Sequence, residues 1–294
     1  MWLVAWLLAL VAASAAEELP IVGLASVAFR VRDLEEARRF YTGLLGFEQA
    51  FVVKAEAGAP DRVFLKINDE QFIELWPGLA PEQQVRLAHV AVQASDVSRL
   101  RRLLQARGLA PSPLEKRADG NLGFRLPDPD GTPLEFLEYS PGSLQEKARG
   151  KFLGPRRVSE RLWHAGVTVS DLERAMAFYR DRLGLVEIWR GGPSRMELRW
   201  VNMRLPGPRG DYLEYMLHSG PPSRQQLGSM QHICLQTPDV EAAYRQLLAR
   251  GLPDSERFRP RVGRNGRRLA NLFDPDGSRT ELMEPDPVRP AALE

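Results

Sequence analysis

The sequence predicts an α+β fold made of four βαβββ modules, and three repeated patterns support that prediction. One segment occurs in both halves: VRDLEEARRFYTGLLGFE at 31–48 matches VSDLERAMAFYRDRLGLVE at 169–187. A second segment does the same, since HVAVQASDVSRLRRLLQARGLAP at 89–111 matches HICLQTPDVEAAYRQLLARGLPD at 232–254. The tetrapeptide DPDG also occurs once in each half. Long segments that recur at a nearly constant interval indicate duplicated structural units, so two similar halves are expected.

Each half divides again into two modules that share one order of elements. A module begins with a short apolar strand: ASVAFRV, HVAVQA, HAGVTV or HICLQT. An aspartate follows, whose carboxylate can accept hydrogen bonds from the first free N–H groups of a helix. The helix is amphipathic and ends near a glycine, and two or three strands complete the module. The aspartates are Asp33, Asp96, Asp171 and Asp239, and the glycines are Gly46, Gly108, Gly184 and Gly251.

The DPDG turns at 128–131 and 274–277 each precede a strand that contains a glutamate among apolar residues. Asp and Pro favour the turn, and Gly supplies the positive φ that completes it. We therefore assign both turns to the closure of β-hairpins. The Phe-Tyr pairs at 40–41 and 178–179 are assigned to packing of a helix against a sheet.

The composition fits one large or two medium globular domains. The chain has 294 residues, of which 44% are hydrophobic and 27% charged, and its formal net charge is +2. The sequence shows no basic stripe, which argues against a nucleic-acid partner. The single cysteine, Cys234, excludes an intrachain disulfide, and we predict that it is a buried core thiol.

The N-terminal segment predicts export. Residues 1–16, MWLVAWLLALVAASAA, contain no charged side chain and end in small residues, which is typical of a secretory signal peptide. The apolar stretch is shorter than the roughly 20 residues that a membrane-spanning helix needs, so we expect no stable membrane insertion. The protein is therefore predicted to be periplasmic or secreted.

Polar residues recur at matching places on otherwise apolar strands. One such residue alone is typical of a hydrogen-bonded or solvent-facing position, whereas a fourfold recurrence is not. Two imidazoles and two carboxylates on one set of strands would repel or desolvate one another unless a cation holds them. Nitrogen and oxygen ligands of this kind suit Zn²⁺, Ni²⁺, Fe²⁺, Co²⁺ or Mn²⁺. The first strands contribute Ser26, His89, His164 and His232, and the last strands contribute Glu74, Glu135, Glu214 and Glu281.

Taken together, these patterns resemble the vicinal-oxygen-chelate superfamily, which includes glyoxalase I, methylmalonyl-CoA epimerase, fosfomycin- and bleomycin-resistance proteins and extradiol dioxygenases. The motifs are H-x-x-V near a strand start, D-L-E-x-A-x-x-F-Y-x-x-x-L-G, and D-P-D-G-x-x-x-E. The resemblance implies that the modules pair into two cup-shaped domains of mixed β-sheet, each with room for one metal. The expected plan is a signal peptide at 1–16, an N-terminal domain at 21–140, a linker at 141–160, a C-terminal domain at 161–285 and a tail at 286–294.

The same resemblance implies where the metal lies. The second half supplies a complete ligand set: His164, Glu214, His232 and Glu281. Glu281 would be a ligand and a proton shuttle, and Glu214 a ligand or a second base. The first half departs from the family at Ser26, where His or Gln is usual, so it is expected to be structural or to hold a weakened second site at Glu74, His89 and Glu135.

Three functions remain open at this point. The first is a metal-dependent isomerase or lyase of glyoxalase or epimerase type, acting on a small molecule with vicinal oxygens. The second is an Fe(II) extradiol-type dioxygenase with a triad of His164, His232 and Glu281, although Asn265 and Leu272 stand near the positions where such enzymes have a His and a Tyr. The third is a binding or resistance protein without turnover. A monomer or a homodimer is expected.

The sequence also suggests which side chains could line the substrate pocket. Trp189, Arg195, Arg199 and Trp200 lie on the second and third strands of the third module. An inward-facing arginine would favour an anionic substrate and an inward-facing tryptophan a planar one. The strand register that decides between these orientations is not fixed by the sequence.

Overall fold

The computed structural model describes residues 17–54 and 60–288. The predicted signal peptide at 1–16 and most of the predicted tail lie outside the described residues. Within them, each of the four predicted βαβββ modules is present, so the predicted fold class is confirmed.

The first half forms one curled, mixed sheet of eight strands, which we call the first cup. Its strands are β1 (Ile21–Val31), β2 (Glu48–Val53), β3 (Arg62–Lys66), β4 (Phe72–Pro77), β5 (Leu87–Ala94), β6 (Glu115–Lys116), β7 (Leu122–Pro127) and β8 (Pro133–Glu138). Their spatial order is β2-β3-β4-β1-β5-β8-β7-β6. The first strand of each module therefore lies at the centre of the sheet.

The second half repeats this arrangement as the second cup. Its strands are β9 (Arg161–Val169), β10 (Val186–Gly191), β11 (Trp200–Arg204), β12 (Tyr212–Leu217), β13 (Ile233–Gln236), β14 (Arg261–Val262), β15 (Arg267–Phe273) and β16 (Arg279–Pro287). The order β10-β11-β12-β9-β13-β16-β15-β14 matches that of the first cup position by position.

One helix in each module crosses between its first and second strands. The module helices are α1 (Leu34–Arg38, continued by a π-helical turn at Arg39–Leu44), α2 (Val97–Ala106), α4 (Leu172–Tyr179) and α6 (Val240–Ala249). Each predicted aspartate caps its helix, accepting from backbone N–H groups of the first turn. Two further short α-helices, α3 (Leu144–Lys147) and α5 (Arg224–Met230), and a 3-10 helix at Glu256–Phe258 were not predicted.

The DPDG turns close hairpins as predicted. Asp128 Oδ1 accepts from the backbone N–H of Asp130 and Thr132 at 2.9 and 2.7 Å, and Asp274 Oδ1 accepts from Asp276 and Ser278 in the same way. These contacts hold the turn by the aspartate side chain rather than by the strands alone.

The same turns also join the two halves, which the sequence did not predict. Tyr41 Oη donates to Asp274 at 3.2 Å, and Tyr179 Oη donates to Asp128 at 2.8 Å. Both tyrosines belong to the Phe-Tyr pairs and are fully buried. Each half thus completes the hydrogen bonding of the other, and one apolar core runs through both.

Candidate metal centre

The four predicted ligands of the second half converge inside the second cup. His164 lies on β9, Glu214 on β12 and Glu281 on β16, while His232 immediately precedes β13. The parallel pairing of β12 with β9 and of β13 with β16 brings these strands side by side at the centre of the sheet. Both histidines are fully buried. We call these four residues the donor set.

The distances within the donor set match those around a single metal ion. The Nε2 atoms of His164 and His232 lie 3.0 Å apart. Glu214 Oε2 lies 3.3 Å from His232 Nε2 and 3.8 Å from His164 Nε2. Glu281 Oε2 lies 3.5 Å from His164 Nε2. Ligands each about 2.0–2.2 Å from one ion are separated by similar distances, so His164, Glu214 and His232 fit one divalent cation, with Glu281 beside His164.

A backbone hydrogen bond fixes the orientation of His232. Its Nδ1 lies 2.8 Å from the carbonyl oxygen of Met230, which assigns the ring proton to Nδ1 and leaves the Nε2 lone pair facing the other donors. Gly166 makes this orientation possible, because a Cβ there would lie 2.0 Å from His232 Nδ1. Sequence reasoning missed this glycine, although it stands in the HAGV motif.

Burial keeps both histidines neutral. It lowers the pKa of His164 and of His232 well below the usual value, and Arg279 adds to the effect. Burial, with Glu214 nearby, raises the pKa of Glu281 to about 7. The imidazoles therefore keep the lone pairs that metal binding requires.

Two further side chains, Cys234 and Arg279, lie beside the donor set, each two residues from a ligand. Cys234 is fully buried, as predicted, and its Sγ lies within 4.8 Å of ligand atoms of both His164 and Glu281. Its thiol donates to Glu281, and burial raises its pKa well above the usual value, so it remains protonated. Arg279 Nη2 lies 2.8 Å from His232 Nε2 and 3.7 Å from Glu214 Oε2.

Two buried asparagines flank the donor set and were missed by sequence reasoning. Asn202 on β11 pairs with Glu214, and Asn271 on β15 pairs with Glu281, so each amide shares a face with a carboxylate. Their Oδ1 atoms are buried without a hydrogen-bond partner. Leu272, which stands near the position where the dioxygenases have a Tyr, is buried in the apolar core. Both asparagines could have been identified from the sequence. Counting residues from each glutamate back through the hairpin turn to the opposite position on the preceding strand leads to them.

A cavity of about 240 Å³ opens beside the donor set. Two of the four predicted pocket residues, Trp189 and Trp200, line it, as does Asn265. Arg195 and Arg199 do not, and Arg199 faces a separate cavity. The arginines that do line it are Arg261, Arg264 and Arg279.

The first cup brings its corresponding residues together but neutralises them internally. His89 Nε2 lies 3.1 Å from Glu74 Oε1 and 3.3 Å from Glu135 Oε2. Ser26 Oγ donates to Glu74 at 2.5 Å. The guanidinium of Arg117, which sequence reasoning did not single out, is buried against Glu135 in a close ion pair.

The pKa shifts in the first cup are those of an ion-pair network. Burial alone would raise the pKa of Glu135, but His89 and Arg117 outweigh it and hold that pKa at about 2. Burial would lower the pKa of His89, but Glu74 and Glu135 raise it above its usual value. The cations that the carboxylates require are thus supplied by the chain itself, and these residues do not fit a metal in this arrangement.

Comparison with known sequences now identifies the family. Residues 23–136 and 161–282 each match the family described as the Glyoxalase/Bleomycin resistance protein/Dioxygenase superfamily. The chain belongs to this superfamily. The predicted resemblance is confirmed, and both halves of this superfamily member carry the family pattern. No curated protein sequence matches the chain.

Solved structures share this superfamily fold over most of the chain. An extradiol ring-cleaving dioxygenase from B. fuscum is 20% identical, covers 95% of this chain and 75% of its own, and superposes with a TM-score of 0.68. The Mn(II)-bound glyoxalase from Novosphingobium aromaticivorans is 19% identical, with coverages of 90% and 82% and a TM-score of 0.66. The 2,3-dioxygenase LapB from Pseudomonas sp. KL28 is 15% identical, with coverages of 95% and 97% and a TM-score of 0.64.

These similarities show that the chain has the same fold as two dioxygenases and a glyoxalase. They do not distinguish between these two kinds of enzyme, since identity is below a quarter in each case. Among residues 17–54 and 60–288, no helix has both the length and the apolar character required to span a membrane.

Proposed function

We propose that the second cup binds one divalent metal and catalyses an isomerase or lyase reaction on a small molecule with vicinal oxygens. The observation that supports this proposal is the convergence of His232, Glu214 and Glu281 on His164, each with a ligand atom within 4 Å of its Nε2. Zn²⁺, Ni²⁺, Fe²⁺, Co²⁺ and Mn²⁺ all suit such a donor set. The identity of the metal stays open.

The metal, when bound, would act as a Lewis acid that stabilises negative charge on the substrate oxygens. The residues of the chain have separate tasks. His164 and His232 would hold the ion from neighbouring strands. Glu281 would accept a proton from a substrate carbon that bears one of the vicinal oxygens and return it to the adjacent carbon. Glu214 lies across the site as a ligand or second base, and Trp189 with Trp200 limits the access of water to the cavity.

The second candidate is an extradiol-type dioxygenase using His164, His232 and Glu281. The chain shares its fold with the B. fuscum enzyme and with LapB, as this candidate requires, although it shares that fold with a glyoxalase as well. Two features weigh against it. Glu214 is a fourth donor that a two-histidine, one-carboxylate triad does not need. The side chains facing the carboxylates from β11 and β15 are Asn202 and Asn271, which supply no acid.

A metal titration followed by a turnover screen tests the proposal. Purified protein is loaded with each of the five metals and assayed on 2-hydroxyketones, hemithioacetals and 2-methylmalonyl thioesters, with solvent-deuterium incorporation as the readout. We expect turnover with deuterium entering the product, and its loss in Glu281→Gln. Oxygen uptake with catechols that only iron restores would favour the dioxygenase. Tight metal and ligand binding without turnover would indicate a binding protein.

We also propose that the protein is exported through residues 1–16. The uncharged apolar segment and the small residues after it support this proposal. Expression of the full chain, followed by mass spectrometry of the exported fraction, tests it. The expected product begins after residue 16, and an intact N-terminus in the cytoplasmic fraction would overturn it.

A further inference from the structure

Arg279 occupies a position that a bound metal would contest. Its guanidinium Nη2 lies 2.8 Å from His232 Nε2 and 3.7 Å from Glu214 Oε2. The side chain is 14% exposed, so water screens the contact poorly. Arg279 therefore acts as the cation of the donor set in the arrangement that the structure shows.

The contact with His232 cannot persist when a metal binds. His232 Nδ1 carries the ring proton that is donated to Met230, so Nε2 offers the only lone pair of the ring. Arg279 Nη2 lies 2.8 Å from this Nε2 and 2.9 Å from Nδ1, so the guanidinium packs against the ring and occupies space beside the donor atom that a metal would need. A guanidinium this close would also repel a doubly charged ion in a poorly screened site.

The adjoining cavity offers space into which the side chain of Arg279 can turn. Arg279 already lines this space of about 240 Å³, together with Arg261, Arg264 and the two tryptophans. Its Nε atom is buried without a hydrogen-bond partner, so the present position leaves the guanidinium incompletely satisfied. An anionic group in the cavity would satisfy it better than the histidine does.

We propose that Arg279 is a movable counter-cation: it neutralises the donor set before metal binds, turns into the cavity on metal binding, and there holds an anionic group of the substrate. This inference rests on the metal site proposed above. It adds that the substrate carries a negative charge. Metal loading precedes substrate binding, because it releases the arginine. The cavity, with three arginines and a metal against two carboxylates, selects a negatively charged substrate.

This role and a merely structural role predict opposite changes in metal affinity when Arg279 is removed. An arginine that only supported the fold would, when removed, weaken metal binding and lower the melting temperature with or without metal. A counter-cation that competes with the metal would, when removed, tighten metal binding. The melting temperature would fall only in the metal-free protein, where the donor set loses its cation.

The first experiment is titration of EDTA-treated full-length protein with Zn²⁺ by calorimetry, with melting temperatures recorded with and without Zn²⁺. We expect Arg279→Gln to bind Zn²⁺ at least about tenfold more tightly than wild type and to gain more in melting temperature on binding. Arg261→Gln removes the same charge from the same cavity without touching a ligand, and a change below about threefold is expected.

Two outcomes separate the inference from the proposed function. Zn²⁺ affinity that is equal or weaker in Arg279→Gln, with wild type still binding, overturns the inference alone. Failure of wild type and Arg279→Gln alike to bind any of the five metals overturns the proposed function and the inference with it.

The second experiment tests the anion. Tryptophan fluorescence follows binding of mandelate, an anion with vicinal oxygens, and of its neutral amide, mandelamide, to the Zn²⁺-loaded protein. We expect wild type to bind mandelate at least about fivefold more tightly than mandelamide. Arg279→Gln should lose most of that preference, although it binds Zn²⁺ more tightly. An unchanged preference in Arg279→Gln would show that the arginine does not reach the substrate.

Discussion

The two cups place corresponding residues at corresponding positions, but they compensate the charge of their buried carboxylates in different ways. In the first cup, two buried carboxylates meet one histidine, and Arg117 supplies the remaining positive charge. In the second cup, two carboxylates meet two neutral histidines, and the one cation among them, Arg279, lies at a long 3.7 Å from Glu214. The pKa of Glu135 is accordingly about 2 and that of Glu281 about 7.

The difference teaches that the neighbours of a ligand position decide whether it can bind metal. Replacing one histidine by Ser26 removes a nitrogen donor, but His89, Glu74 and Glu135 would still offer three ligands. The buried guanidinium of Arg117 is what completes the network. A site with its charges paired internally has no need of an ion. In the second cup the carboxylates lack such a close ion pair, and this is the arrangement that the proposed metal would complete.

The largest expected effect comes from removing one histidine from each cup. His232→Ala should weaken metal binding by more than about 100-fold, because it deletes a ligand whose orientation the backbone fixes. His89→Ala should leave the metal content of the purified protein unchanged. Elemental analysis of both variants measures this. Equal metal in wild type and His232→Ala would place the metal elsewhere.

The second test removes the internal cation of the first cup. Arg117→Met should cost about 3–5 kcal/mol of unfolding free energy, because Glu135 would remain buried without its closest charged partner. Arg125 also pairs with Glu135, but its side chain is 66% exposed, so Arg125→Met should cost less than about 1 kcal/mol. Urea unfolding at neutral pH measures both. Similar small losses in the two variants would show that the network is not the cause of stability there.

The third test uses pH to expose the same network. The pKa of Glu135 is lowered to about 2 from 4.5, so its contribution is fully present above pH 4.5 and is lost as pH falls through 2. The shift corresponds to about 3 kcal/mol. We expect Glu135→Gln to be less stable than wild type at pH 7 and the two urea midpoints to approach each other as pH falls from 4.5 towards 2. A constant difference across that range would contradict the assigned pKa.

The smallest expected effect concerns the position two residues after His89 in the first cup and two residues after His232 in the second. Ala91 occupies it in the first cup and Cys234 in the second, where the thiol donates to Glu281. Cys234→Ala should weaken metal binding by about tenfold, since Glu281 loses the group that orients it. Cys234→Ser should restore most of the affinity. A sulfur-to-metal charge-transfer band in the Co²⁺ protein, with no rescue by serine, would make Cys234 a ligand instead.

Much of the fold could be predicted because duplication repeats every local signal. The helix-capping aspartates and the strand starts recur in all four modules, so a weak signal in one is supported by three others. The convergence of the donor set followed from the same recurrence. The sequence did not show that Tyr41 and Tyr179 would find their acceptors in the opposite half, because such pairing depends on how the cups pack.

The lining of the site was harder to predict because it depends on strand register. A shift of one residue moves a side chain to the other face of the sheet, and bulges interrupt the pairing of β10 with β11 and of β15 with β16. Trp189 and Trp200 face the cavity, while Arg199 does not. Arg117 was missed because no repeat marks it.

The tyrosine bonds across the two halves have a consequence for how the molecule is made and kept. Tyr41 lies 233 residues before its acceptor, so its hydroxyl stays unpaired until almost the whole chain has left the ribosome. Each cup supplies the carboxylate that accepts from a buried tyrosine of the other, so loss of either half would leave one of these hydroxyls without that acceptor.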